Sequence, residues 1–322
     1  MARFLRSPAL VLLAVLAGLV LSDRGEENIL TAATAFSSLQ YFSTFGLVAL
    51  GLALTMLIGE FDISVGGLFG LGGCVAVLTG NGDPWIGVAI ALSTGLVFGI
   101  IQGLIITGFR LDSVAVTLGG LLTANGLAYV LTLNKTITFD NIDLALALNE
   151  PIAAIFSPRS IVVIAFFLAA ILIFGTTRIG RDVIATGSNR RAAMISGVGV
   201  DRILVASFAL SGALSALGGA LLSYGLASAS PAGLTDVLVP AIAAAILGGV
   251  SLSGGVGSPL GLAIGILTIS VLRSGLNALG VPPFVNDVVS GAILLAVAIV
   301  GAPYLSRRLT FHALRSKSTR IR

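Results

Sequence analysis

Long apolar stretches separated by short polar segments make up most of this chain. A helix needs roughly 20 residues to cross the hydrocarbon core of a bilayer. About ten stretches approach that length, and they cover residues 8–22, 41–58, 64–80, 85–107, 114–133, 159–175, 204–227, 236–250, 258–277 and 284–302. Those at 64–80 and 236–250 are short, so we expect some helices to be broken, tilted or partly re-entrant. The pattern predicts an all-α polytopic membrane protein with about ten transmembrane helices.

The composition excludes a soluble globular domain. Of 322 residues, 56% are hydrophobic and 10% are charged, and the mean hydropathy is +1.07. A soluble domain carries about 25% charged residues, whereas lipid solvates the surface of a membrane protein. Small residues recur at four-residue spacing, as in Gly95/Gly99/Gly103, which predicts close helix packing. No linker interrupts the chain, so we expect residues 1–322 to form a single transmembrane domain.

The basic residues predict the orientation, because cytoplasmic loops of membrane proteins are enriched in Lys and Arg. With the N-terminus inside, the inside segments hold Arg3, Arg6, Arg110, Arg178, Arg181, Arg190, Arg191, Arg202, Arg307, Arg308, Arg315, Lys317, Arg320 and Arg322. The outside segments hold only Arg24, Lys135 and Arg159. We therefore expect both termini to be cytoplasmic, with a basic tail over about 303–322. This asymmetry also explains the pI of about 9.7 without nucleic acid as a partner.

Two segments leave alternatives open. Arg3 and Arg6 followed by a short apolar run are typical of a first transmembrane helix and also of a cleaved signal peptide. The longest outside loop, 134–158, is mildly acidic. It is either a connecting loop or part of a docking surface for an external partner.

The segment Gly59-Glu60-Phe61-Asp62-Ile63-Ser64-Val65-Gly66-Gly67 places two carboxylates between apolar stretches. Asp62 or Ser64 could cap the following helix by accepting from its free N–H groups. One interpretation is a tight inside turn before a capped helix. The other is a broken-helix element in a solute pathway, because irregular backbone at membrane depth lines cavities. In that case Glu60, Asp62, Ser64 and Gly66 are candidate pathway residues.

A related segment, Gly248-Gly249-Val250-Ser251-Leu252-Ser253-Gly254-Gly255, recurs late in the chain. Both segments are glycine-rich and precede an apolar stretch, which weakly indicates an internal duplication of the kind found in transporters. The acidic residues are absent from the second copy, so a charge-dependent role is not duplicated. The candidate pathway residues here are Gly248, Gly249, Ser251, Ser253 and Gly255.

The longest inside loop, 176–203, mixes arginines with apolar residues such as Ala193 and Ile195. Ser188 or Asn189 could cap a short helix over 190–196. The loop is either a basic connector that touches anionic lipid headgroups or a short helix that docks into a partner protein. The residues by themselves favour neither alternative.

The sequence gives no support for chemistry carried out by the chain itself. It contains no Gly-x-x-x-x-Gly-Lys-Ser/Thr loop for ATP hydrolysis and no catalytic motif. A single cysteine, Cys74, and a single histidine, His312, make no metal cluster. Since the predicted spans hold few ionisable residues, a neutral polar solute driven by another subunit fits better than ion coupling. We expect no catalytic residue, metal or cofactor in this chain.

Three motifs resemble those of the permease subunits of bacterial ABC importers of the ribose/xylose/galactose type, over roughly residues 28–302. Residues 60–66 look like the family's Gly-Ile-Asp-Leu-Ser-Val-Gly signature. Residues 177–181, 185–189, 192–193 and 196–198 are similar to its inside loop. Residues 247–257 are similar to its late Gly-Gly-Thr-Ser-Leu-x-Gly-Gly-x-Gly motif.

The resemblance implies an ABC importer permease in the bacterial inner membrane, surrounded by membrane lipid, and not an enzyme. Two permeases, identical or sister chains, form the pathway for a sugar or polyol, two cytoplasmic ATPase subunits drive it, and a periplasmic solute-binding protein delivers the solute. Permeases of this kind commonly keep their first helix, which favours a retained helix. Loop 176–203 becomes the coupling element, with candidate residues Gly180, Arg181, Ala185, Gly187, Asn189, Ala192, Ala193, Ser196 and Gly197.

Some positions depart from the family pattern. The usual acidic pair before the Ala-Ile-Ala-Ala stretch is replaced by residues 237–240, and Asp236 lies further upstream. The late Asn-Gly-Leu is Ser274-Gly275-Leu276, and position 60 carries Glu where glycine is usual. These departures leave the solute open. The alternatives to an ABC permease are a stand-alone secondary transporter or facilitator and a receptor-like membrane scaffold.

Overall fold

The computed structural model describes residues 7–23 and 28–282, together with residues 284, 285, 288, 289, 291, 292 and 295. The named elements of this described part are twelve helices and two short strands. The helices are α1 (Pro8–Ser22), α2 (Ala32–Leu57), α3 (Val65–Gly80), α4 (Pro84–Phe109), α5 (Ser113–Leu131), α6 (Ile142–Asn149), α7 (Pro158–Thr176), α8 (Arg178–Ser188), α9 (Arg190–Ile195), α10 (Val200–Gly225), α11 (Leu238–Leu247) and α12 (Pro259–Ala278). The strands are β1 (Ile137–Thr138) and β2 (Ser228–Ala229), which pair antiparallel.

The apolar helices match the predicted spans. Among the described residues, six helices are long and apolar enough to cross a membrane, namely α2, α4, α5, α7, α10 and α12. Three shorter apolar helices, α1, α3 and α11, occupy the other predicted spans before residue 280. The predicted all-α polytopic membrane architecture is therefore confirmed. The count of about ten stays a prediction, because much of span 284–302 and the whole tail 303–322 lie outside the described residues.

Local sequence explains where several of these helices begin. Three of them start with a capping side chain followed by proline, at Asp83–Pro84, Ser157–Pro158 and Ser258–Pro259. The cap accepts a hydrogen bond from a free N–H of the first turn. Proline fits the next position because its fixed φ suits a helix and its missing N–H is not needed there.

Helix α10 lies at the centre of the bundle and packs against α2, α3 and α4. Its contact with α4 is a close approach of backbones, as the four-residue spacing of glycines predicts. A Cβ added to Gly95 would overlap the carbonyl oxygen of Gly212, and one added to Gly99 would overlap that of Phe208. Small residues at such crossings let helices in lipid gain dispersion contacts along their backbones.

The bundle has two distinct ends. The β-ribbon end carries β1, β2 and α6, of which β2 and α6 pack on the end of α10 and β1 packs on α3. There Phe139 stacks on Tyr224 with ring centroids 4.4 Å apart, and the Tyr224 hydroxyl donates to the carbonyl oxygen of Ala76 at 2.9 Å. The α8–α9 end carries α8 and α9, together with the end of α2 and the loop between α11 and α12.

Candidate functional site

Helices α8 and α9 form a bent segment at the α8–α9 end. Asn189 separates them in an extended conformation, and its side chain accepts a hydrogen bond from the Ala192 N–H at 3.0 Å. The short capped helix predicted over 190–196 is thus present over Arg190–Ile195, and Asn189 is its cap. Ala193 is buried, whereas Met194 and Ile195 are 55% and 81% exposed.

A backbone contact ties this segment to the transmembrane bundle. The N–H of Gly255 donates to the carbonyl oxygen of Leu57 at 2.9 Å. A Cβ on Gly187 would overlap that oxygen and would lie 2.5 Å from the Gly255 nitrogen. A Cβ on Gly254 would lie 2.7 Å from the Gly59 nitrogen and 2.9 Å from the Gly187 oxygen. We call Gly59, Gly187, Gly254 and Gly255 the glycine junction.

An ion pair reinforces the same connection. The Arg190 guanidinium of α9 pairs with the Glu60 carboxylate and donates to the carbonyl oxygen of Ile58 at 3.3 Å. The Glu60 side chain is largely shielded, while Arg190 is about half exposed. Residue 60 therefore links the α8–α9 segment to the turn between α2 and α3, which spans residues 58–64.

Turn 58–64 also contains a fully buried carboxylate. Asp62 has no exposed surface, and its oxygens accept from the Ser64 hydroxyl at 2.6 Å, the Ser64 N–H at 3.0 Å and the Ser211 hydroxyl at 2.7 Å. The Ser64 hydroxyl also lies 3.1 Å from Gln102 Oε1. Burying a carboxylate is costly unless donors replace the lost water, and these donors do so. We call Asp62, Ser64, Gln102 and Ser211 the Asp62 cluster.

The turn also holds the beginning of α5. The Phe61 N–H donates to the Ser113 hydroxyl at 3.2 Å, and the Ile63 N–H donates to the Thr117 hydroxyl at 3.1 Å. The Thr117 hydroxyl lies 3.2 Å from the Phe61 carbonyl oxygen. Turn 58–64 therefore contacts α9, α10 and α5, three elements that are distant in sequence.

The structure brings some predicted residues together and leaves others apart. Glu60, Gly187 and Gly255 meet at or beside the glycine junction. Asp62 and Ser64 lie in the Asp62 cluster, while Gly66 is the second residue of α3 and lies next to Leu238. The other predicted residues lie in or just after the α8–α9 segment, or in the loop after α11, and they take no part in the glycine junction. They are Gly180, Arg181, Ala185, Asn189, Ala192, Ala193, Ser196, Gly197, Gly248, Gly249, Ser251 and Ser253.

Several of these remaining residues have local structural roles. Gly180 is buried against the backbone of Phe174. Gly248 packs on the backbone of Gly261 and Leu262. The Ser251 hydroxyl lies 3.0 Å from that of Ser253, within the loop that follows α11. These contacts fix the shape of the two segments around the junction.

Sequence reasoning missed the partners of the predicted residues. Gln102 is 3% exposed, and its Nε2 has no hydrogen-bond partner in the described part of the chain. An amide within an apolar stretch is a signal that could have drawn attention to it. Ser211 lies within an apolar stretch, and nothing near it in sequence pointed to Asp62.

No group of three or more His, Cys, Asp or Glu side chains among the described residues is arranged to hold a metal ion. The expectation that this chain carries no metal or cofactor therefore stays a prediction. What the geometry does provide is a mechanical connection between an exposed segment and buried helix ends.

The comparison with protein families decides the assignment. The model of a permease family described as "Branched-chain amino acid transport system / permease component" matches residues 34–298. This chain belongs to that permease family. The match includes the turn 58–64, the α8–α9 segment and the loop after α11, so every part of the glycine junction lies within it.

Individual relatives of this permease cover most of its length. The ribose import permease protein RbsC of Escherichia coli (strain K12) is 33% identical over 297 residues, which are 90% of this chain and 92% of that protein. RbsC of Bacillus subtilis (strain 168) is 36% identical over 79% of this chain and 80% of that protein. The autoinducer 2 import system permease protein LsrC of Yersinia enterocolitica is 32% identical over 90% of this chain and 80% of that protein. No solved structure matches the permease.

Proposed function

We propose that this permease is the membrane-spanning subunit of an ATP-driven ABC importer for a sugar or polyol. Similarity to permeases named for ribose import supports the solute class. The family description names branched-chain amino acids, so the family as a whole does not define the solute. The low charge of the long apolar helices favours a neutral polar solute over a charged one.

The exposed apolar surface of the α8–α9 segment is the observation that carries the proposal. Met194 and Ile195 are large apolar side chains exposed at the end of a short helix, next to Arg190 and Arg191. An apolar pair flanked by cations fits a groove on a partner protein, where its burial would stabilise docking. We assign this partner as the ATPase subunit that hydrolyses ATP for the importer.

The glycine junction gives the docked segment a route to the rest of the subunit. Gly187 at the end of α8 lies against the end of α2 and the loop before α12. Arg190 holds turn 58–64, and that turn holds α5. A movement of α9 driven by nucleotide binding would therefore displace helices that lie deep in the bundle.

The orientation and the other partners follow from this assignment. The α8–α9 end faces the cytoplasm, and the β-ribbon end faces the periplasm, where loop 134–158 would meet a solute-binding protein. A second permease, identical or a sister chain, completes the pathway in the inner membrane. Both termini would then be cytoplasmic.

Reconstitution in proteoliposomes tests the proposal. The permease is assembled with its ATPase and binding protein, and uptake of radiolabelled D-ribose is measured with and without ATP. We expect uptake to require ATP and the ATPase subunit. Ion-gradient-driven uptake by the permease without the ATPase would instead support a stand-alone carrier and overturn the proposal.

A matched pair of variants tests the docking surface. Ile195→Asp places a carboxylate where an apolar contact is proposed, and uptake should fall about thirtyfold or more because interface anchors contribute about 2 kcal/mol or more. Leu146→Asp makes the same change at an exposed site (66%) on α6, at the opposite end. It should leave copurification with the ATPase unchanged. Normal uptake and ATPase binding by Ile195→Asp would refute the assigned docking role.

A further inference from the structure

A non-helical segment lies beside α3. Residues 230–237 connect β2 to α11 and are neither helix nor strand. A Cβ on Gly70 of α3 would lie 3.6 Å from the Pro231 carbonyl oxygen and 3.5 Å from the Gly233 nitrogen. A Cβ on Gly66 would lie 3.6 Å from the Leu238 side chain. The segment therefore lies alongside the first turns of α3.

Helix crossings establish how deep these first turns lie. Gly95 and Gly212, near the middle of α4 and of α10, are in direct contact. The Leu68 side chain of α3 lies beside the same Gly212. Gly67 lies against the carbonyl oxygen of Leu121, near the middle of α5. Because α4, α5 and α10 are candidate membrane spans, residues 66–70 and the segment beside them lie near mid-membrane.

This segment presents a carboxylate on the surface of the subunit. Asp236 is exposed. One of its oxygens, Oδ1, accepts from the Leu238 N–H at 3.2 Å, and Oδ2 has no hydrogen-bond partner within the described part of the chain. Ser230 and Thr235, in the same segment, are partly exposed.

Lipid is an unsuitable environment for this surface. A carboxylate at the centre of a bilayer costs several kcal/mol, and such groups face water-filled cavities or protein. Irregular backbone at membrane depth obeys the same constraint, because its N–H and C=O groups need partners. The exposed side of residues 230–237 must therefore face an aqueous space or another subunit.

We propose that Asp236 lines the translocation pathway and accepts hydrogen bonds from hydroxyl groups of the passing solute. A carboxylate at this position favours a hydroxyl-rich neutral solute and repels an anionic one. This inference rests on the proposed import function and adds to it a residue that selects among solutes.

Thiol labelling tests where position 236 faces. In a Cys74→Ala background, Asp236→Cys is treated with a charged, membrane-impermeant methanethiosulfonate in the assembled transporter. We expect it to react readily. Leu168→Cys, an exposed position in the middle of α7, is the control and should react poorly because it faces lipid. Equal, slow reaction at both positions would overturn the proposal.

Solute uptake tests the role of the charge. Asp236→Asn keeps the side-chain shape and removes the charge, and we expect D-ribose uptake to fall about tenfold, the effect of weakening a charged hydrogen bond. Asp83→Asn, at the exposed N-cap of α4, should transport normally, because asparagine caps a helix as well as aspartate does. Normal uptake by Asp236→Asn would refute the selective role. Labelling is measured without solute or ATP, so failure of ATP-driven import remains distinguishable from failure of this inference.

Discussion

Gly187 is a single residue whose replacement would disturb the whole α8–α9 end. In Gly187→Ala, the new methyl group overlaps the Leu57 carbonyl oxygen, which is backbone and cannot rotate away. We expect the variant to be destabilised by about 1–3 kcal/mol, as for other overpacked sites, and to lose solute-stimulated ATP hydrolysis in the assembled complex. Thermal unfolding in detergent and ATPase assays measure the two effects.

Gly175→Ala provides the comparison for this prediction. Gly175 lies near the end of α7, and no atom that an added Cβ would meet is within 4 Å. Since alanine is the better helix former, this change should leave stability unchanged or slightly higher. Equal thermal stability and equal ATPase activity of Gly187→Ala and Gly175→Ala would show that the close contact at Gly187 has no energetic importance.

At the level of residues, sequence reasoning found one partner of each important contact. Glu60, Asp62 and Gly187 were predicted from their motifs. Ser211 and the Leu57 carbonyl oxygen were not, because they meet their partners only through helix packing between distant parts of the chain. A carbonyl group leaves no trace in a sequence, so the reason for glycine at 187 required the structure.

At the level of elements, the crossing of α4 and α10 depends on glycine in one stripe of α4. In Gly99→Leu, the larger side chain overlaps the Phe208 carbonyl oxygen and should force the helices apart. We expect a lower thermal midpoint and poor expression. Gly108 lies on the same helix and has no atom within 4 Å of an added Cβ. The control variant Gly108→Leu should therefore be tolerated. A similar fall in thermal midpoint and expression in both variants would indicate a general effect of leucine on α4.

Helix positions were largely predictable, because the apolar runs are long and end at polar caps. The predicted span 85–107 corresponds to Pro84–Phe109, and 159–175 to Pro158–Thr176. Helix α2 begins at Ala32, well before the predicted residue 41. Its first turns contain Thr, Ser and Gln, so they fall outside the apolar run although the backbone stays helical. Apolar content follows membrane depth, whereas helical hydrogen bonding continues beyond it.

At the level of the whole molecule, the two ends should lie on opposite sides of the membrane. Leu146→Cys and Ile195→Cys are placed singly in the Cys74→Ala background of intact cells. An impermeant thiol reagent of a size that passes the outer membrane should label residue 146 directly, and residue 195 only after the inner membrane is opened. Labelling of residue 195 in intact cells would reverse the proposed orientation.

The asymmetry of basic residues predicted this orientation, but it could not predict how the ends are connected through the bundle. Charge counts describe loops one at a time. The structure adds that turn 58–64 contacts both the basic segment α8–α9 and the start of α5. Such a link depends on three-dimensional packing and has no counterpart in the order of charges along the chain.

The glycine junction has a mechanical consequence. Contacts between long side chains absorb small displacements, because the side chains can change rotamer and keep the contact while the backbones move. The junction at Gly59, Gly187 and Gly254 is made of backbone atoms at close range, so it contains no side-chain torsion that can absorb strain. It acts as a stiff joint, and a shift of even a fraction of an ångström at α8 must move the end of α2 by a comparable amount.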